Sequence, residues 1–576
     1  MFDSDVLIVG TGPMGATTLL LLARMGVNAE AITKYNWVAN TPRAHIINQR
    51  AMEVFRDTEI EGDVLEEAIS WDKMGETVIS TSLSDDEIAR IKAWGTSDER
   101  KSDYLSGSPC PLADISQPYL EPVIIQKSLQ AGALIRFGTE YLSHTDQGDK
   151  VVVRLRDRKS GREFEHTTRY LVGADGGRSK VAQDIDLPLT GEMDIASSVY
   201  IEFKADLAHL IAHRPAVLYR IIAPMAAGSQ IGMVTLRAVR AWDRWIVGWG
   251  IKNGEPPPTS EEAIKVIHRV IGDPSLPVEI QNISIWNANR IYAERYSAGR
   301  VYCGGDAVHR HPPSSGLGAN TAIQDAFNLS WKLAYVIKGW ASPALLDSYS
   351  DERAPVGKQI VERAWKSRAD YSPMNDVFSE ASGDPDKLRK HIFSSDVESV
   401  PVRQRLAEAV KLKDYEFNAQ GVELNHHYRS NAVISESSTS HPDKDAELYL
   451  NASTQPGNKM PHAWVVDRRG HKVSTLDLVG KGHMSVVTGL SGAAWVEAVQ
   501  RLSLPWLKSV VIGAADTRDV YFSWHRIREI HDGGMLLVRP DGVVAYRYMD
   551  PVAESNEAFD LLDGAIRQLM GEYCDA

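Results

Sequence analysis

The chain opens on an unbroken apolar run, DVLIVG at 5–10, the pattern of a strand buried on both faces of a parallel sheet. A helical apolar stripe follows to about Met25, where Gly26 suits a C-terminal cap, and AEAITK at 29–34 predicts the second strand. Residues 151–156 alternate as a strand, YLVGA at 170–174 returns as another, and RVYCGGD at 300–306 is a short buried strand ending in glycines and an acid. Between 198 and 249 the pattern changes. Strands at 199–203, 217–222, 231–236 and 245–249 follow one another without helices, which predicts a mostly antiparallel sheet inserted between two halves of a nucleotide-type fold. Ala322, Ala326, Leu329, Leu333 and Val336 recur at helical spacing, so a helix is expected to begin near Asn320, with more helix from 345 to 369. Residues 371–432 are polar and partly helical, and SESSTSHPDKD at 435–445 is the best linker. Strands among helices then predict a separate α/β unit. The expected division is 1–185 and 291–370 for the two parts of the nucleotide-binding domain and 186–290 for the inserted sheet, with 371–440 as connection and 441–576 as the last unit.

Composition narrows the classes. At 576 residues the chain has room for two to four cores, and no run approaches the ~18 apolar residues of a membrane span. The start, MFDSD, lacks a basic n-region, and Cys110, Cys303 and Cys574 lie without metal or disulfide spacing. A cytoplasmic protein with no metal site is expected. A net charge of −13 opposes binding to nucleic acid or to anionic membranes.

Candidate chemistry concentrates at strand ends. GTGPMG places Gly10, Gly12 and Gly15 at the dinucleotide-fingerprint spacing between a strand and a helix, where backbone can approach a pyrophosphate. The second strand ends in Thr33 and Lys34 in place of the usual ribose-binding acid; the hydroxyl can make one weaker bond, and the lysine can meet a phosphate or stay solvated. Arg43 and His45 precede a helix that runs through Phe55, and Gln117 leads into another. Asp175 and Asp306 each close a strand, the position where ligands gather in α/β sheets. After Pro312 and Pro313, Gly316 and Gly318 permit close approach, and the helix beyond offers a positive N-terminus to an anionic or electron-rich group. Trp242, Trp245 and Trp249 read as packing, whereas His213, Tyr219 and Arg220 can line a pocket.

Three motifs in this order, GTGPMG, GADGGRS at 173–179 and GGDAVHRHPPSSGLGANTAIQDAFNLSWKLA at 304–334, resemble the single-component flavin-dependent aromatic hydroxylases. The stretch 32–56 looks most like the bacterial chlorophenol monooxygenases of that family. The resemblance implies an α/β chain: a Rossmann-like FAD domain, an inserted mostly antiparallel substrate sheet, and a C-terminal thioredoxin-like domain. That last unit has no Cys-x-x-Cys here, so a structural or oligomerisation role is expected, with a homodimer or homotetramer. The implied activity uses FAD, O2 and NADPH (or NADH) to hydroxylate a phenol, chlorinated or otherwise substituted, to a catechol through a flavin C4a-hydroperoxide. By motif, Gly10, Gly12 and Gly15 would hold the pyrophosphate, and Thr33, Lys34, Arg43 and Gln117 would contact the FAD. Asp306 would bind the ribityl or pyrophosphate region, and Asp175 would support FAD and the reductant. Pro313, Gly316, Leu317, Gly318, Ala319 and Asn320 would lie against the isoalloxazine. His45 is the candidate phenol-deprotonating base and Tyr219 the candidate substrate contact. Ser314 and Ser315 replace a more glycine-rich version of the family loop. Alternatives are the same chemistry on a resorcinol, hydroxybenzoate or polyketide, a flavin halogenase or dehydrogenase, or a non-catalytic flavoprotein. WIVGW at 245–249 does not match the halogenase WxWxIP pattern.

Overall fold

The structure, a computed structural model, describes residues 2–224, 231–380, 384–436 and 444–571. Most of the expected linker and Cys574 lie outside the described residues.

The first strand, Ser4–Val9, is the hub of the nucleotide-type sheet. It pairs in parallel with Ala29–Thr33 on one side and Glu163–Gly173 on the other. Leu134–Phe137 and Val301–Cys303 extend the sheet in parallel outward, so the carboxyl ends of five strands open on one edge. That edge carries Gly10, Asp175 and Asp306.

The inserted sheet has eight strands and is antiparallel at every pairing but one. Its order is His309–Arg310, Glu279–Ala293, Leu189–Lys204, Arg244–Ile251, Ile231–Arg240, Leu218–Pro224, Thr77–Ser80 and Glu87–Ile91. Two features depart from expectation. Residues 77–80 and 87–91, assigned by sequence to the nucleotide-binding part, complete this sheet's edge. The strand Glu279–Ala293 went unread because its isoleucines are spread among polar residues on a half-exposed strand. One face of the sheet packs on the helix Ser260–Ile271 around Val199, Ile201, Phe203, Tyr219, Val234 and Trp245, with Trp242 stacked on Trp245. Strand alternation turns Tyr200, Glu202, Arg220, Thr235 and Arg237 to the other face.

The helix expected from Asn320 begins three residues earlier and spans Leu317–Ile337. Gly316, in the left-handed conformation at φ 62°, makes the turn into it, so helical geometry starts before the apolar periodicity does. Its amino-terminal half faces the strand ends. Its carboxyl-terminal half, with Trp331 and Tyr335, enters the core of the C-terminal unit. In that unit Leu507–Val511, Met484–Thr488, Met535–Val538 and Val544–Tyr548 form one parallel and two antiparallel pairings, with the helices Ala493–Leu502 and Ser555–Met570 packed together over the sheet. This is the thioredoxin-like arrangement. Among the described residues, no helix is long and apolar enough to cross a membrane, and no group of three metal-ligating side chains occurs.

Candidate active site

The three fingerprint glycines have different reasons to be glycine. A Cβ on Gly10 would fall 2.2 Å from the Ala174 carbonyl oxygen, and one on Gly15 would fall 2.0 Å from the Gly10 carbonyl oxygen. Both are demanded by the fold. A Cβ on Gly12 would meet nothing nearer than Glu121 Oε1 at 3.9 Å, so the space over Gly12 is open. Gly12 is also the residue before the helix Pro13–Arg24, whose N-terminus has no side-chain cap and no acid in its first turn. Bare N–H groups beside open space form a cradle for a pyrophosphate. Burial raises the carboxyl of the neighbouring Glu121, which accepts Gln117 Nε2 at 2.6 Å and Ala39 N–H at 2.8 Å.

Across the cleft, Asp306 presents an exposed carboxylate that makes no hydrogen bond or ion pair among the described residues. Its loop is pinned from behind. Buried Asp325 accepts Gly305 N–H at 3.0 Å, meets His309 Nε2 at 2.9 Å and Arg353 Nε at 2.7 Å. The N-terminus of Leu317–Ile337 again lacks a side-chain cap and a first-turn acid. A diphosphate, a polyhydroxyl chain and an electron-rich ring system each find the donors or acceptors they need, and these residues fit FAD.

Several of the residues placed at the flavin by sequence have other duties. Asn320 is buried, and its amide bonds Asn48 N–H at 2.9 Å, Ile46 O at 2.8 Å and Gly316 O at 2.7 Å. Leu317 packs into a core with Val356 and Ile360. With these side chains engaged and the Gly316 N–H donated to Pro313 O at 3.1 Å, what the first turn of this helix leaves for a ligand is its own free backbone N–H groups. Asp175 accepts Ser179 Oγ at 2.5 Å and Lys180 N–H at 2.7 Å, which shapes its loop. Thr33 is buried with its hydroxyl 3.4 Å from Tyr35 N, while Lys34, Arg43 and Pro313 are exposed.

Tyr219 is a correction. It is fully buried, and its hydroxyl donates to Arg214 O at 3.0 Å and accepts Ala216 N–H at 3.0 Å. It lies on the core face of its strand, so it does not line a substrate site. His213 is exposed. The next residue, Arg220, faces the other way.

His45 stands over that second face. A short antiparallel pairing, Ile46–Ile47 with Ala113–Asp114, brings Asp114 Oδ2 to 2.8 Å from His45 Nδ1. Sequence reading passed over Asp114, because the pairing joins residues 69 apart and leaves no local periodicity. Arg237 ties the segment to the sheet by donating to the carbonyls of Pro42 and Arg43. Register aligns Tyr200, Gly248, Thr235 and Arg220 in one row, with Glu202, Ile246, Arg237 and Leu218 in the next. A Cβ on Gly248 would fall 2.5 Å from the Tyr200 ring, so glycine here makes room for that ring. Burial lowers the His45 pKa, and Arg237 lowers it further, outweighing Asp114. The imidazole is therefore neutral near pH 7. Its proton sits on Nδ1, donated to the Asp114 carboxylate, and Nε2 keeps a free lone pair. His45 is 18% exposed and Asp114 fully buried. This is an oriented base beside two guanidinium groups.

A nucleotide-type sheet with two bare helix N-termini, joined to a second sheet that carries an oriented base, is the arrangement of an enzyme built around a dinucleotide cofactor. Residues 3–364 match the FAD binding domain model and residues 453–572 the aromatic-ring hydroxylase C-terminal model. The chain belongs to the FAD-dependent aromatic-ring hydroxylases. It is 44% identical to 2,4-dichlorophenol 6-monooxygenase of Cupriavidus pinatubonensis, covering 100% of this chain and 97% of that one. It is 41% identical to phenol 2-monooxygenase of a Pseudomonas species, over 98% and 93%. Among solved structures, the flavin-dependent monooxygenase PieE, with FAD and substrate, superposes at a TM-score of 0.92 with 37% identity, over 99% and 100% of the two chains.

One substitution separates cofactor binding from folding. Gly12 has φ −69°, which any residue adopts, so Gly12→Val is expected to fold. Its side chain fills the cradle, and FAD affinity should fall at least about 100-fold, read by fluorescence titration.

Proposed function

We propose that this enzyme hydroxylates a phenol, chlorinated or otherwise substituted, at the carbon ortho to its hydroxyl, giving a catechol. The observation that carries the reading is the His45–Asp114 pair on the substrate-facing side of the inserted sheet. The chemistry supplied by bound FAD is transfer of two electrons from NAD(P)H to O2, with delivery of one oxygen atom to the ring and release of the other as water. The remaining work falls to the chain. His45 Nε2 accepts the phenolic proton, since a phenolate ring is the stronger nucleophile. Asp114 holds the imidazole in the tautomer that leaves Nε2 free and balances the imidazolium formed. Arg237 and Arg220, whose charges both depress the His45 pKa, favour the phenolate by the same field. The bare N-terminus of Leu317–Ile337 opposes negative charge on the cofactor.

The size of the ring is the open choice. Relatives at 41–44% identity are named for phenols, and those near 30% for tetracenomycin A2 and aklavinone as well as for 4-methyl-5-nitrocatechol. That ranking favours a one-ring phenol over a polyketide. The purified protein should be yellow and oxidise NAD(P)H faster when chlorophenols or cresols are added. Stimulation by polycyclic phenols alone would replace the substrate class and keep the enzyme class.

A further inference from the structure

The second strand lacks the acid that in dinucleotide folds holds the adenosine ribose, ending in Thr33 and Lys34 instead. The nearest acid along the strand, Glu30, is buried and paired with Arg136. Thr33 already serves the Tyr35 N–H. Just beyond the strand, however, two large rings stand in solvent: Tyr35 is 61% exposed and Trp37 59%.

The loop that carries them is anchored. Gly138 N–H donates to Tyr35 O at 2.9 Å, and Arg158 Nη1 donates to Lys34 O at 2.9 Å. Trp37 lies against Phe137, with ring centroids 5.5 Å apart and planes 31° from parallel. Phe137 is the last residue of Leu134–Phe137, the strand beside Ala29–Thr33. The indole therefore overhangs the carboxyl ends of the two strands where an adenosine comes to rest, with an aromatic ring at its back.

We propose that Trp37, backed by Phe137, is the adenine platform of the FAD site, so that stacking on the base takes over from the missing ribose carboxylate. The inference rests on FAD being the cofactor. FMN shares the isoalloxazine, ribityl chain and first phosphate of FAD and lacks the adenosine, so the two flavins isolate the contact.

The test is titration of the full chain, stripped of flavin, with FAD and with FMN, read by flavin fluorescence, for wild type and Trp37→Ala. FAD should bind about 10- to 100-fold more weakly to the variant, while FMN changes by less than about twofold. Trp37→Phe should retain most of the FAD affinity. Unchanged FAD affinity in Trp37→Ala would overturn the proposal. Equal weakening of FAD and FMN would overturn it too, because the loop would then be acting through the fold. Wild-type protein that binds neither flavin would overturn the cofactor reading, and the inference with it.

Discussion

Arg539→Ala is expected to destabilise the protein by about 3–5 kcal/mol, because it strands two buried carboxylates. Arg539 is fully buried where the C-terminal unit meets the flavin domain. Its guanidinium grips Glu352 through two bonds of 2.6 and 2.9 Å and Asp541 through two of 3.0 and 2.5 Å. Lys332 Nζ reaches the same Glu352 at 2.8 Å, and burial drops its own pKa to about 8. Burial alone would raise the Glu352 carboxyl, but Arg539 and Lys332 outweigh it and hold the group far below its ordinary value of 4.5. A carboxyl depressed on folding contributes stability that is present above that ordinary value and lost as the pH falls below it. The expected result is a lower denaturation midpoint for Arg539→Ala near neutral pH and a smaller deficit in acid. Adding Glu352→Gln to Arg539→Ala should recover only part of the loss, since Asp541 remains a buried carboxylate without Arg539 and Lys332 loses its partner. An unchanged midpoint in the single variant would show that the clamp contributes nothing. Lys332 belongs to the helix Leu317–Ile337, so this contact also fixes that helix from its far end.

None of this clamp was legible in the sequence. Arg539, Glu352 and Lys332 look like ordinary solvated charges on helices and turns, and only the docking of distant elements buries them. The fingerprint glycines were legible for the opposite reason: their spacing within one βα turn is a local pattern, although of the three only Gly15 meets backbone of that same turn. The Asp306 loop was readable on the same grounds. His45 was singled out by its place beside a family motif, but its orienting partner depends on a two-residue strand pairing. Tyr219 was misassigned because single-residue alternation decides which side of a strand faces the ring, and the sequence around it is apolar on both sides.

His45→Ala is expected to lower the rate of phenol hydroxylation by about 10²- to 10⁴-fold at neutral pH, the usual worth of a positioned base. FAD binding should be untouched, since His45 lies toward the sheet and not over the fingerprint glycines. The loss should depend on the substrate. A phenol acidic enough to be ionised in solution needs no base, so the deficit should shrink from cresols to polychlorinated or nitrated phenols. The pH profile carries the same signature. Imidazolium cannot accept a proton, so wild-type kcat/KM falls as the pH drops through the His45 pKa, which lies below the ordinary 6.5. In His45→Ala that limb should vanish and be replaced by one at the phenol's own pKa. Asp114→Asn should show a milder version, because it keeps the imidazole but removes the carboxylate that selects its tautomer. An equal loss for ionised and un-ionised phenols would remove His45 from the role of base.

The central claim, that this chain places one atom of dioxygen beside a phenolic hydroxyl, is tested most directly by turnover under isotopically labelled O2. The yellow holoprotein, supplied with NADPH or NADH and 2,4-dichlorophenol or phenol, should release the corresponding catechol. One of its two hydroxyl oxygens should carry the label, with one reductant consumed per product. Reductant oxidised to hydrogen peroxide with no labelled catechol from any phenol tested would contradict the account.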